Sequence, residues 1–160
     1  SPSFAAYDID VLLAGGVSVK VPLDESWTYD LEGVEHAITD KTRMVLLCNP
    51  NNPTGTFLTT AQIRVFLQKI ENTGILVVID EAYRDFVNCE DCEASSSLVS
   101  EFDNVVLLRT FSKAFGMAGW LRSCAPGNRG CRQQSRGRIL GILTLPSGWS
   151  RHVARRDDHG

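Results

Sequence analysis

Three short polar segments of this chain hold the residues with the most distinctive chemistry, and each follows an apolar run. The first, residues 49–55, is dense in Asn, Pro and Gly. The second begins at Asp80 and includes Tyr83, and the third, residues 109–116, contains Lys113, one of four lysines in the chain. Amide, carboxylate, phenol and amine groups on neighbouring segments are groups that bind charged ligands and move protons.

Lys113 lies in a segment where two hydroxyl side chains, Thr110 and Ser112, alternate. Hydroxyls and backbone N–H groups in such a loop can hold a phosphate. A lysine beside a phosphate either binds it or acts as a Schiff-base nucleophile. The alternative is a solvated loop lysine without a chemical role.

Asp80 follows five apolar residues, so its carboxylate emerges from the core, and Tyr83 can face the same cleft. A carboxylate beside a pyridine nitrogen keeps the ring of pyridoxal 5'-phosphate (PLP) protonated, which makes the ring an electron sink. A phenol, and an amide from residues 49–55, could bind the ring hydroxyl O3′. Each residue also has a structural alternative. Asp80 could cap the following turn, and Tyr83 could pack against its neighbours. Residues 49–55 could form a rigid Pro turn with Asx hydrogen bonds.

The apolar runs predict the strands that position these segments. Residues 43–48, 75–79 and 105–108 are continuous runs typical of buried strands, and residues 17–21 alternate weakly and predict a further strand. Such strands, separated by helices, predict a mostly parallel sheet covered by helices on both faces, an α/β fold. Ligands bind at the carboxyl ends of the strands in these sheets, which is where the three polar segments begin.

Helical spacing and capping residues predict two of the intervening helices. Asp30 can cap a helix over residues 31–38. Thr59 or Thr60 can cap a second helix that ends before Gly74. Its apolar residues fall on one face: Ile63, Phe66, Leu67 and Ile70.

The motifs Asn-Pro-Asn-Asn-Pro-Thr-Gly (49–55), Val-Ile-Asp-Glu-Ala-Tyr (78–83) and Arg-Thr-Phe-Ser-Lys-Ala-Phe-Gly (109–116) closely resemble the class I/II PLP-dependent aminotransferases of fold type I. In fine detail they look most like histidinol-phosphate aminotransferase, and aromatic aminotransferases and phosphothreonine decarboxylases share them. The resemblance covers about residues 2–120. Because family members are more than twice as long, it implies an incomplete chain, the central part of the large, PLP-binding domain.

The resemblance implies a role for each matching residue. Lys113 would be the catalytic lysine that forms the Schiff base with PLP, and Asp80 would pair with the pyridine nitrogen. Asn52 and Tyr83 would hydrogen-bond O3′.

Three further residues of the chain match cofactor-binding positions of the family. Thr110 and Ser112 would hold the cofactor phosphate. Phe4 matches the position where an aromatic ring stacks on PLP, with core packing as the alternative.

The resemblance also implies a reaction, partners and a location. The reaction would be transamination between histidinol phosphate and 2-oxoglutarate, giving imidazole acetol phosphate and glutamate, in histidine biosynthesis. The partners would be a small-molecule amino donor and a 2-oxo acid, and the full-length parent would be a cytoplasmic homodimer. An inactive fragment that carries the motifs without a working site is the alternative.

Composition argues against several other classes of protein. The 160 residues carry a net charge of −3, which disfavours nucleic-acid binding by the chain as a whole. No apolar run approaches the length of a membrane span, and no signal peptide is visible. Cys89 and Cys92 form a C-x-x-C, but acidic neighbours and the lack of a matching pair favour two incidental loop cysteines.

Composition changes sharply near residue 120. Residues 1–120 contain eight Lys and Arg against 17 Asp and Glu, whereas residues 121–160 contain eight Arg, no Lys and two Asp. Leu121 stands where the family has a phosphate-binding Arg, so that role does not pass to Arg122. We interpret residues 121–160 as out-of-frame or disordered sequence, and a native basic tail that binds anions or RNA is the alternative. An uninterrupted reading frame on resequencing codons 115–125 would contradict the frameshift.

Overall fold

The computed structural model describes residues 3–88 and 93–116, together with the backbone of a strand at 120–124. Within these residues the chain forms one sheet in the order β1-β2-β3-β4. The strands are β1 Met44–Cys48, β2 Leu76–Asp80, β3 Val105–Thr110 and β4 Trp120–Cys124. The first three are parallel and β4 is antiparallel to β3, which confirms the predicted α/β, mostly parallel architecture.

The described helices are short and lie between the strands or before them. They are α1 Ala6–Leu13, α2 Leu31–His36, α3 Thr60–Ile70 and α4 Ser96–Glu101, with 3-10 turns at Glu71–Thr73 and Arg84–Phe86. No helix in the described part of the chain is long and apolar enough to cross a membrane.

Helix α3 begins and ends as its sequence predicts. Thr59 is the N-cap: its hydroxyl accepts from the backbone N–H of Gln62, and the Gln62 side chain accepts in return from the backbone N–H of Thr59 at 2.9 Å. The helix runs into a 3-10 turn, and Gly74 then reverses the chain with a φ of 72°. That backbone conformation favours glycine.

One face of the sheet forms the hydrophobic core with α3 and α4. Every second strand residue faces this side, including Leu47, Ile79 and Leu107, and all three are buried. Leu67 of α3 and Leu98 of α4 pack into the same cluster without measurable exposure. The core therefore fixes the sheet from one side and leaves its carboxyl edge open for polar residues.

Strand register brings the three polar segments to one edge. Cys48 pairs with Asp80, and Asp80 pairs with Leu108, so the three strands end almost level. The backbone N–H groups of Asn49 and Glu81 extend the pairing by donating to the carbonyls of Asp80 and Leu108, at 2.8 and 2.7 Å. The side chains that follow each strand must therefore lie close together.

Two features of the N-terminal third differ from the prediction. Residues 17–21 do not form a strand, and Val17 and Val19 are largely exposed. The nearest pairing in the described chain is the isolated bridge between Leu23 and Tyr29. Weak alternation of apolar and polar residues matches the side-chain pattern of a strand. It does not show whether a neighbouring strand is available to hydrogen-bond with the backbone. Helix α1 was absent from the prediction.

We expect Leu67→Ala to lower the free energy of unfolding by about 2–5 kcal/mol, because it removes a buried side chain and leaves a cavity. Val65→Ala is the matched control, since Val65 is 57% exposed on the same helix. It should change stability by less than about 0.5 kcal/mol. Urea unfolding of both variants measures this, and equal losses would contradict the assigned core face.

Candidate active site

The centre of the site is Asp80, the last residue of β2. Its side chain is buried and each carboxylate oxygen accepts a hydrogen bond. The Tyr7 hydroxyl donates to Oδ2 at 2.6 Å, and the backbone N–H of Ala82 donates to Oδ1 at 2.9 Å. These two bonds fix the carboxylate at the open edge of the sheet.

Burial raises the pKa of the Asp80 carboxyl above its usual value. The hydrogen bonds from Tyr7 and Ala82 act in the opposite direction because they favour the charged carboxylate, and the positive charge of Lys113 does so as well. Burial also raises the pKa of the Tyr7 phenol well above its ordinary range, and the Asp80 carboxylate adds to this rise. Tyr7 therefore remains a hydrogen-bond donor to Asp80.

Tyr7 is a site residue that the sequence prediction missed. It lies in α1, 73 residues from the carboxylate it contacts. Its one available sequence signal was its position three residues after Phe4, which places the two aromatic rings one turn apart. In the structure these rings pack edge to face, with centroids 5.4 Å apart.

Phe4 lies at the rim of this cluster. Its side chain is 46% exposed, so the alternative of plain core packing does not hold. Phe4 joins the site through its contact with Tyr7, which in turn binds Asp80. The exposed part of the ring is available to a flat ligand.

Lys113 and Tyr83 meet at the same edge. The Lys113 Nζ lies 5.5 Å from the centroid of the Tyr83 ring, within the range of a cation–π contact. Lys113 is exposed and Tyr83 is half-buried. The Lys113 amine is therefore accessible from solution, and its positive charge favours the ionised form of Asp80.

Asn52 and Tyr83 line one cleft of about 390 Å³. The cleft runs between the 49–55 loop and the residues after Tyr83, and its aromatic wall includes Phe57 and Phe86. The two predicted O3′ ligands are thus brought together, although 31 positions separate them in sequence.

The hydroxyls of Thr110 and Ser112 lie 2.8 Å apart, and the backbone N–H of Ser112 donates to the Thr110 hydroxyl at 3.1 Å. Thr110 is buried at the end of β3, whereas Ser112 is exposed. Hydroxyl groups clustered at a strand end can hold a phosphate.

Asn49 holds one end of the 49–55 loop. Its side-chain amide donates to the Leu58 carbonyl at 2.9 Å, and its amide oxygen accepts from the Leu58 backbone N–H at 2.7 Å. These two bonds connect the start of the loop to Leu58, nine positions on, and hold together the chain on either side of Asn52.

A second carboxylate, Glu81, is buried next to Asp80. Its Oε2 accepts from the Arg109 Nε at 2.7 Å, and its backbone N–H donates to the Leu108 carbonyl. Glu81 therefore ties the end of β2 to the end of β3 through both side chain and backbone.

The donor set fits PLP. A buried, anchored carboxylate suits the protonated ring nitrogen, an accessible lysine suits the aldehyde, and paired hydroxyls suit the phosphate.

Cys89 and Cys92 lie outside the described residues.

We expect Asp80→Asn to make the chain more stable than wild type at pH 7. The folded-state pKa of the Asp80 carboxyl lies above its ordinary value of 3.8. The contribution of this group to the free energy of unfolding is therefore complete below pH 3.8 and is lost as the pH rises through the folded-state pKa. Asparagine does not ionise. Urea unfolding between pH 3.5 and 8 should show the advantage of Asp80→Asn shrinking as the pH falls. Asp85→Asn controls for the loss of one exposed negative charge, and an advantage that grows at low pH would contradict the assignment.

Comparisons with known proteins identify the family of this chain. The chain is 44% identical over 126 residues to an aromatic amino acid aminotransferase of Corynebacterium glutamicum, covering 79% of this chain and 37% of that protein. It is 50% identical over 117 residues to the enzyme of the same name from Mycobacteroides abscessus, covering 73% of this chain and 33% of that protein. The chain thus spans about a third of the length of these relatives.

Solved structures with the same fold include two kinds of aminotransferase. An aromatic aminotransferase from Pyrococcus horikoshii is 30% identical with a TM-score of 0.68, covering 79% of this chain and 35% of that one. The histidinol-phosphate aminotransferase from Clostridium acetobutylicum is 28% identical with a TM-score of 0.66, covering 72% and 34%. The family model described as aminotransferase class I and II matches residues 1–139. The chain belongs to the class I and II aminotransferases.

Proposed function

We propose that this chain carries the cofactor-binding core of a PLP-dependent aminotransferase whose amino donor is an aromatic amino acid. The observation that carries the proposal is the buried Asp80 carboxylate at the same sheet edge as the accessible Lys113 amine. A buried carboxylate without a cationic partner is costly, and a site that pairs it with a protonated ring nitrogen offsets that cost.

When bound, PLP supplies the electron sink for the pair of electrons left at the donor's Cα. Asp80 holds the proton at the ring nitrogen, and Tyr7 orients Asp80. The Lys113 amine would hold the cofactor through its aldehyde, and as a free amine it would move the proton at the donor's Cα.

The remaining predicted residues hold the cofactor in place. Asn52 and Tyr83, which line one cleft, would bind O3′. Thr110 and Ser112 would bind the phosphate, and Phe4 would stack on the ring.

The aromatic donor is supported by the curated relatives at 44–50% identity, which are aromatic amino acid aminotransferases. It replaces histidinol phosphate as the leading candidate, although the motifs of this chain resemble that enzyme in detail. Histidinol phosphate, and with it a role in histidine biosynthesis, remains the second candidate because a histidinol-phosphate aminotransferase shares the fold at 28% identity. A 2-oxo acid acceptor, a homodimer and a cytoplasmic location stay predictions.

We expect the chain to bind PLP and to form a borohydride-reducible link at Lys113. The band of the bound cofactor should appear with wild type and be lost with Lys113→Ala, since the other three lysines lie outside the three motifs. Absorbance and peptide mapping after reduction measure this. Lys41→Ala is the matched control, because Lys41 is exposed and lies outside the three motifs, before the start of β1. Labelling spread over several lysines, or an unchanged band in Lys113→Ala, would contradict the proposed site.

We further expect the PLP-loaded chain to convert phenylalanine or tyrosine at least about tenfold faster than histidinol phosphate in a single-turnover half-reaction, as differences in side-chain fit commonly give. The spectral change of the cofactor reports each rate. Faster conversion of histidinol phosphate would favour the second candidate, and bound PLP that reacts with no donor would favour an inactive fragment.

A further inference from the structure

We infer that Tyr29 is a positioning residue whose single hydroxyl sets the 49–55 loop and the Phe4 segment relative to the end of β1. The inference rests on the proposed function only where it predicts an effect of Tyr29 on PLP binding. Tyr29 belongs to none of the three motifs and has no predicted role.

The Tyr29 hydroxyl contacts three separate segments. It accepts a hydrogen bond from the backbone N–H of Cys48 at 3.1 Å and donates to the Asn51 Oδ1 at 3.0 Å. The Ser3 hydroxyl lies 3.3 Å away. We call Tyr29 with these three residues the Tyr29 junction. It joins the end of β1, the 49–55 loop and the N-terminal segment at one atom.

The contact to Asn51 fixes the loop that presents Asn52. Asn51 is buried, and its backbone N–H donates to the Thr56 carbonyl while its carbonyl accepts from the Gly55 N–H, both at 2.8 Å. The Asn51 side-chain amide also donates to the Thr54 hydroxyl at 2.8 Å. Asn51 is therefore the anchor of the loop, and Tyr29 holds that anchor against β1.

The contact to Ser3 acts on the other side of the site. Ser3 directly precedes Phe4, whose ring packs on Tyr7, the residue that binds Asp80. A shift of Ser3 would move the ring that covers the ligand and the tyrosine that orients the carboxylate. The Tyr29 junction thus couples the Asn52 side of the site to its Asp80 side.

An ordered turn delivers Tyr29 to this place. Asp24 accepts hydrogen bonds from the backbone N–H groups of Ser26 and Thr28, and Leu23 and Tyr29 pair across the turn. The Tyr29 ring packs against the hydrophobic core. Burial raises the pKa of the phenol, so the hydroxyl keeps the proton that it donates to Asn51.

The test is Tyr29→Phe in the full chain, since this change removes only the hydroxyl. Amide hydrogen exchange at Cys48 should accelerate roughly two- to tenfold, because its N–H loses its acceptor, and exchange at Asn51 should accelerate as the loop loosens. Exchange at buried Leu67 of α3 should not change. The Kd for PLP should rise by a similar factor, roughly two- to tenfold.

Ser26→Ala is the matched control. It removes a hydroxyl from the same turn, but that hydroxyl binds the exposed Asp24 rather than the site. It should leave exchange at Cys48 and the Kd for PLP unchanged. If Tyr29→Phe does not fold, Ser3→Ala gives the second test, and it should weaken PLP binding while leaving exchange at Cys48 unchanged.

Two outcomes would overturn the inference. One is unchanged exchange at Cys48 and Asn51 in Tyr29→Phe, and the other is faster exchange spread equally over α3 and the loop with an unchanged Kd for PLP. Failure of wild type to bind PLP would instead count against the proposed function. Exchange at Cys48 and Asn51 would still decide whether Tyr29 positions the loop.

Discussion

Parallel pairing of β1, β2 and β3 in level register is the constraint on which the rest of the structure depends. Because Cys48, Asp80 and Leu108 lie side by side, the chain leaves the sheet three times at one edge. Each exit carries a polar segment that could not be placed on the buried face. The core formed with α3 and α4 fixes the strands, and the Glu81–Arg109 pair ties two of the exits together. The site is therefore a property of the sheet edge more than of any single loop.

The same edge concentrates groups that oppose folding. Asp80 and Glu81 are two buried carboxylates at the end of β2, and the partly buried phenol of Tyr7 in α1 contacts the first of them. Such groups destabilise a domain unless they are hydrogen-bonded or paired. Asp80 and Tyr7 satisfy each other, yet burial still raises the pKa of both. Enzymes commonly keep a charged group in a defined position at the active site even though it lowers the stability of the fold.

The sequence predicted the three parallel strands because local patterns encode them, whereas β4 at Trp120–Cys124 was not predicted. Continuous apolar runs identify buried strands, and Asp80 and Lys113 are conspicuous as charged residues just beyond such runs. Tyr7 and Tyr29 were missed because they contact residues that are distant in the chain, 73 residues away for Tyr7. The strand predicted over residues 17–21 failed for a related reason, since alternation describes a side-chain pattern and does not reveal whether another strand is available.

The three tyrosines of the chain, Tyr7, Tyr29 and Tyr83, all belong to this one edge of the sheet. One phenol binds the buried carboxylate, one forms the junction of three segments and one lies beneath the lysine amine. The tyrosine ring resonances are therefore a built-in label for the site. Selective isotope labelling of tyrosine would make the binding edge visible by nuclear magnetic resonance without any substitution in the protein.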